Sequence, residues 1–208
     1  GVGDRDNPKP GGAGVLYVDD LQFGRRRTAG ATIAHWQFSG VAGQEIVTDT
    51  DIANGVIAYK FRDATYGTNA AQDAFYGAGN PLFDSTGTSA DLQNDPAGGD
   101  PGVGFVVPDT GVDSALDLST LGAFTIEAFI QPYALRQAVV VRKYGGGQYY
   151  IDIRADGDVQ FSINADKNAA AAGAGAITAN EWHHVAAVFD EADATAPMKI
   201  YVHGVLKG

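Results

Sequence analysis

Over residues 114–208 apolar and polar positions alternate with a period of two. In the run Leu121-Gly-Ala-Phe-Thr-Ile-Glu-Ala-Phe-Ile-Gln-Pro132, Phe124, Ile126, Ala128 and Ile130 share one face, while Thr125, Glu127 and Phe129 share the other. This is the pattern of a half-buried strand. Further short strands are predicted at 138–141, 149–154 and 159–163. The last two flank Ala155-Asp156-Gly157-Asp158, and Asp-Gly between alternating apolar runs is the strongest local hairpin signal. The runs 182–189 and 198–202, followed across His203-Gly204 by Val205-Leu206, extend the meander.

The first half of the chain is less regular. Residues 1–14 mix Gly, Pro, Asp and Asn without apolar periodicity, the composition of a linker. Strand-like runs follow at 15–23, interrupted by Asp19-Asp20, then at 33–38 and 56–61. From Arg62 to Gly104 small and polar residues dominate, with Tyr66, Phe75, Tyr76, Leu82 and Phe83 isolated among them. This is too long for an ordinary connection, so it is either a packed functional loop or contains short strands that alternation does not reveal. Its aromatics are expected to pin the segment to the sheet beneath rather than to serve as sugar platforms. Residues 165–176 are Ala-rich but broken by glycines and lack an amphipathic face, which reads as a loop.

Composition sharpens this picture. A chain of 208 residues accommodates one substantial domain with room for a fragment of a second. Hydrophobic residues at 45% and charged residues at 19% place it among soluble globular chains. The acidic residues are 21 Asp against 4 Glu, and Asp favours turns where Glu favours helices. Short strands, Gly-rich turns and the lack of any helical pattern predict an all-β fold, an antiparallel β-sandwich. A net charge of −11 without a basic, aromatic-interleaved stripe argues against nucleic acid as a partner. With no Cys, disulfides, thiolate nucleophiles and zinc-thiolate sites are excluded. No run of 18 apolar residues predicts a transmembrane segment, and a start at Gly1 without initiator Met or signal sequence suggests a piece of a longer protein.

Five features bear on chemistry. Trp182-His183-His184 invites a metal reading, but adjacent strand residues face opposite ways, so the two histidines are not expected in one site and Trp182 is expected in the core. On that expectation Trp182→Ala costs about 3–5 kcal/mol. Glycoside hydrolysis needs two carboxylates about 5–9.5 Å apart. Glu127 stands without a second acid at alternating spacing, and Asp152 is followed by Arg154, which disfavours catalysis. Asp49-Thr-Asp51-Ile-Ala-Asn54-Gly55 lacks the ligand spacing of an EF-hand. A looser structural calcium is expected instead, with Asp49, Asp51 and Asp84 as metal ligands. Arg25-Arg26-Arg27 reads as a solvated boundary and Gly145-Gly146-Gly147 as a turn.

The runs Phe124-Thr-Ile-Glu-Ala-Phe-Ile-Gln-Pro132, Tyr150-Ile-Asp-Ile-Arg-Ala-Asp-Gly-Asp-Val-Gln-Phe161, Asn180-Glu-Trp-His-His-Val-Ala-Ala-Val-Phe-Asp190 and Met198-Lys-Ile-Tyr-Val-His-Gly-Val-Leu206 occur in this order. Together they resemble the laminin-G-like, concanavalin-A-like jelly-roll domains of bacterial extracellular proteins. With 33–38 as a first strand, the resemblance covers 31–208. The family's closing glycine-rich segment and final strand are not seen, which implies a jelly roll incomplete at its C-terminus. Gly14-Val-Leu-Tyr-Val-Asp-Asp-Leu-Gln-Phe23 resembles the last strand of a galactose-binding-like module. Residues 1–30 are therefore read as a linker with the last strand of a preceding β module, and 31–208 as the laminin-G-like domain. The resemblance implies a secreted or cell-surface, non-catalytic recognition or adhesion module within a multi-modular protein. Its partners would be polysaccharide or cell-surface glycan, or copies of itself or neighbouring modules, with no ligand-binding residue named. The alternative is a structural subunit of a surface layer or filament, and a glycoside hydrolase is the least favoured reading.

Overall fold

The computed structural model describes residues 16–24, 32–50, 54–62, 74–79, 87–92, 103–108, 116–118, 121–143, 149–163 and 169–208. Among them the regular structure is entirely β: β1 Leu16–Gly24, β2 Thr32–Trp36, β3 Thr48–Thr50, β4 Ile57–Arg62, β5 Ala74–Ala78, β6 Thr88–Leu92, β7 Val103–Val106, β8 Ala123–Pro132, β9 Ala138–Lys143, β10 Tyr149–Ile153, β11 Val159–Ile163, β12 Ala170–Ala171, β13 His183–Asp190, β14 Met198–Val202 and β15 Val205–Leu206. The large sheet runs β15-β14-β13-β8-β1-β6-β5, with β2 also paired to β1. A second sheet runs β12-β11-β10-β9 and a third β3-β4-β7. The pairings are antiparallel, so the expected all-β antiparallel sandwich is the fold.

Alternation dictates the layering. On β8 Phe124, Ile126, Ala128 and Ile130 are buried, and in register beside them on β13 stand Phe189, Ala187, Val185 and His183. The four-stranded sheet returns Ile151, Ile153, Val159 and Phe161, each essentially inaccessible. Phe124 joins the two layers: its ring meets Phe161 edge-on at 6.2 Å, Tyr149 at 6.0 Å and Phe189 at 5.5 Å. Aromatic contacts of this kind add to the burial of apolar area that holds such a sandwich together. A second part of the same core gathers Trp36, Phe38, Ile46 and Ala58, with Phe38 against Phe105 at 5.1 Å.

The two expected tight turns form. At the β10–β11 turn Gly157 takes φ +81° and its amide donates to the Arg154 carbonyl. A Cβ there would also lie 2.5 Å from the Ile177 carbonyl oxygen, so glycine is required twice over. His203 and Gly204 both take positive φ, the geometry of a two-residue hairpin turn between β14 and β15.

The sparse region after Arg62 contains short strands, β5, β6 and β7. Tyr76 packs half-buried against the core, its ring lying where a Cβ on Gly40 would be. Tyr66 and Phe83, like Gly145-Gly146-Gly147 and Arg25-Arg26-Arg27, lie outside the described residues, and of Phe75 the backbone alone is described. The run read as the tail of a preceding module, β1, lies inside the large sheet, bonded to β8 on one side and to β6 and β2 on the other. Ala170–Ala171, expected in a loop, pairs with β11 as β12.

Candidate functional site

The outward face of the four-stranded sheet concentrates polar chemistry. Since Ile151 and Ile153 point inward, Tyr150, Asp152 and Arg154 point outward, and register places Ser162 beside Tyr150 and Gln160 beside Asp152. One guanidinium nitrogen of Arg154 lies 3.2 Å from the Asp152 carboxylate and donates to Gln160 Oε1 at 2.8 Å. Gln160 in turn donates to Asp158 Oδ2 at 2.8 Å, and Asp158 Oδ1 accepts the Gly173 amide at 2.7 Å. Asp152, Asp158 and Ser162 are buried, while Arg154 and Gln160 are half-buried. The Arg142 guanidinium of β9 sits 5.2 Å from the Tyr150 ring centroid, a cation–π contact at the rim of this network.

Such a network is costly unless its members are satisfied. Arg154 Nε and Ser162 Oγ are both shielded from solvent yet have no hydrogen-bond partner among the described residues. The network thus holds the half-buried Arg154 and Gln160 in place through buried carboxylates, with the half-buried Tyr150 ring at one end. Periodicity placed these residues on one face. Their mutual bonding depends on the β10–β11 register, which a single sequence does not reveal.

The outward face of the large sheet carries a second constellation. His184 Nε2 lies 3.4 Å from Glu127, and its ring packs 4.9 Å from that of Phe129. This hydrogen bond, with help from the nearby His35, holds the Glu127 carboxyl below its ordinary range against the opposing effect of burial. In register beside Glu127 stand Gln22 of β1 and Ala186 of β13, and on its own strand the same face continues as Thr125 and Phe129. One step along the same face, Asp19 of β1 stands in register with Phe129.

His183 and His184 separate to opposite faces, as strand geometry requires. His183 is buried and its Nδ1 lies 3.0 Å from Nε2 of His203. Its Nε2 meets both the amide (3.1 Å) and the carbonyl (3.0 Å) of Thr178. Burial pushes the His183 pKa down. Trp182, by contrast, is half-buried just before β13 rather than in the core. The inward-facing run of β13 begins at His183, so the buried tryptophan is Trp36, whose Nε1 donates to the Val56 carbonyl at 3.2 Å.

Of the carboxylates expected to bind calcium, Asp49 lies on β3 with a buried Oδ2 that no hydrogen bond from the described residues satisfies, and burial raises its pKa. Asp51 and Asp84 lie outside the described residues. Among the described residues no three His, Cys, Asp or Glu side chains converge to hold a metal ion. No helix among them is long and apolar enough to cross a membrane.

No curated protein and no solved structure matches the chain. A family model does match, over a shorter span than the 31–208 expected from the motifs. Residues 108–208, which carry β8 to β15 and the polar face of the four-stranded sheet, match the concanavalin A-like lectin/glucanases superfamily in its laminin-G form.

Proposed function

We propose that the protein is an extracellular, non-catalytic glycan-recognition or adhesion module that binds through the outward face of the four-stranded sheet. The observation carrying this reading is the Arg142–Tyr150 stack at the end of the Asp152–Arg154–Gln160–Asp158 network. A sugar presents hydroxyls in pairs and an apolar ring face. The guanidinium of Arg154 and the carboxamide of Gln160, held by the buried carboxylates beneath them, match the hydroxyls, and the Tyr150 ring matches the face. The non-catalytic part is supported by the sequence, in which Glu127 has no second acid at alternating spacing on its own strand, whereas hydrolysis needs a second carboxyl across the scissile bond.

The test is a glycan array, followed by titration of the best ligand against Tyr150→Ala and Gln160→Ala. Each variant is expected to weaken binding at least about tenfold, the equivalent of about 1.4 kcal/mol, with circular dichroism unchanged. Turnover of any polysaccharide in parallel hydrolase assays refutes the non-catalytic reading. Unaltered binding by both variants refutes the placement of the site.

A structural subunit of a surface layer or filament is the second reading. It is favoured by β15 at the edge of the large sheet, where Val205 and Leu206 are exposed. A monodisperse monomer at high concentration in calcium-containing buffer removes it. Calcium itself is a proposal resting on the buried Asp49 oxygen. If it binds, chelation lowers the melting temperature and calcium, but not magnesium, restores it. Coincident melting curves refute it. No part of the glycan-binding reading runs through this ion.

A further inference from the structure

We infer that His183 and His203 form a two-imidazole binding site for a divalent transition-metal ion, clamping the β14–β15 turn to the start of β13. The two residues are 20 apart in sequence, and the hairpin register brings His183 Nδ1 within 3.0 Å of His203 Nε2. Imidazole nitrogens bind such ions at about 2.0–2.1 Å, so two on one ion stand about 2.9 Å apart at a right angle and about 3.4 Å apart in a tetrahedron. The observed spacing lies close to the right-angled arrangement that Cu(II) and Ni(II) favour.

Three further features suit the site to a metal. Coordination through Nδ1 places the His183 proton on Nε2, which gives up the bond it accepts from the Thr178 amide at 3.1 Å and donates instead to the Thr178 carbonyl oxygen at 3.0 Å; a backbone carbonyl is one of the usual partners for the distal N–H of a ligating histidine. His203 is fixed in its turn by its positive φ and by its amide, which donates to the His184 carbonyl at 2.9 Å. His183 is buried while His203 is exposed, so the ion enters from solvent on the His203 side and water fills its remaining positions. No third protein ligand joins the pair among the described residues, which makes this an exchangeable site rather than a permanent structural one.

The test is calorimetric titration of the metal-free protein with Cu(II), Ni(II) and Zn(II), and with Mg(II) and Ca(II) as controls, alongside thermal melts. One ion per chain is expected, Cu(II) tightest, with a rise in melting temperature and no response to Mg(II). His203→Asn keeps a residue that tolerates positive φ and is expected to weaken Cu(II) binding at least tenfold without lowering the metal-free melting temperature by more than a few degrees. His183→Gln, which retains a partner for Thr178, is expected to lose the same binding. Absence of saturable binding overturns the inference and leaves the pair a plain hydrogen bond. Binding unchanged in His203→Asn also overturns it, since the ion would then sit at His35, His184 or the chain terminus.

Discussion

Replacing Phe124 by Ala tests whether the two sheets pack as described. The side chain is 1% exposed and touches three aromatic rings, at 5.5, 6.0 and 6.2 Å, contributed by β13, β10 and β11. Truncating a buried Phe to Ala costs about 3–5 kcal/mol, as transfer free energy and residual cavity together. The aromatic neighbours place Phe124 in the upper part of that range, because each such pair contributes about 0.5–1.5 kcal/mol beyond its area. For a chain of this length each kcal/mol moves the melting midpoint by about 2–4 °C, so a loss of about 4 kcal/mol lowers it by about 8–16 °C. The control is Thr125→Ala, the next residue on β8, which faces outward and is expected to change stability by less than about 0.5 kcal/mol. Urea denaturation followed by fluorescence reads both. A loss below about 1 kcal/mol for Phe124→Ala, or equal losses for the two variants, refutes the assignment of the inward face of β8.

The two tryptophans should separate in the same assay: Trp36→Ala is expected to cost about 3–5 kcal/mol, and Trp182→Ala, half-buried, clearly less; equal losses would contradict the burial difference. Two glycines with positive φ should also separate. Gly55→Ala meets open space and carries only the backbone penalty of about 1–2 kcal/mol, whereas Gly157→Ala adds the overlap with the Ile177 carbonyl oxygen and is expected to cost more; equal melting temperatures would refute this. Stability should fall with pH in two windows. His183 has a folded pKa below its ordinary 6.5, so below about pH 6.5 the unfolded chain binds a proton that the folded chain refuses, and stability drops there. Glu127, depressed from 4.5, contributes stability above that value that is lost as pH falls through its folded pKa. Urea midpoints from pH 8 to 3 check both, and His183→Gln should flatten the upper window alone.

Strict alternation made part of the fold legible. β8, the β10–β11 hairpin and the β14–β15 hairpin follow from a period of two joined to Asp-Gly or His-Gly turns, because a strand with one face in the core and one outside must write that asymmetry into its residues. The outward placement of Asp152, Arg154 and Gln160, and the separation of His183 from His184, follow from the same rule. The tertiary structure alone decided what local residues do not encode. Strands such as Thr88–Leu92, with Ser89 and Ala90 both buried, show no alternation because both of their faces are covered, and what holds them is the ladder to β5 and β1. Trp182 lost its expected place in the core because it shares the parity of His184 and Val188, while the inward run of β13 is His183, Val185 and Ala187. The meeting of His183 with His203, and the chain of bonds from Arg154 to Gly173, depend on strand register, which is set by long-range pairing and leaves no periodic mark on the sequence.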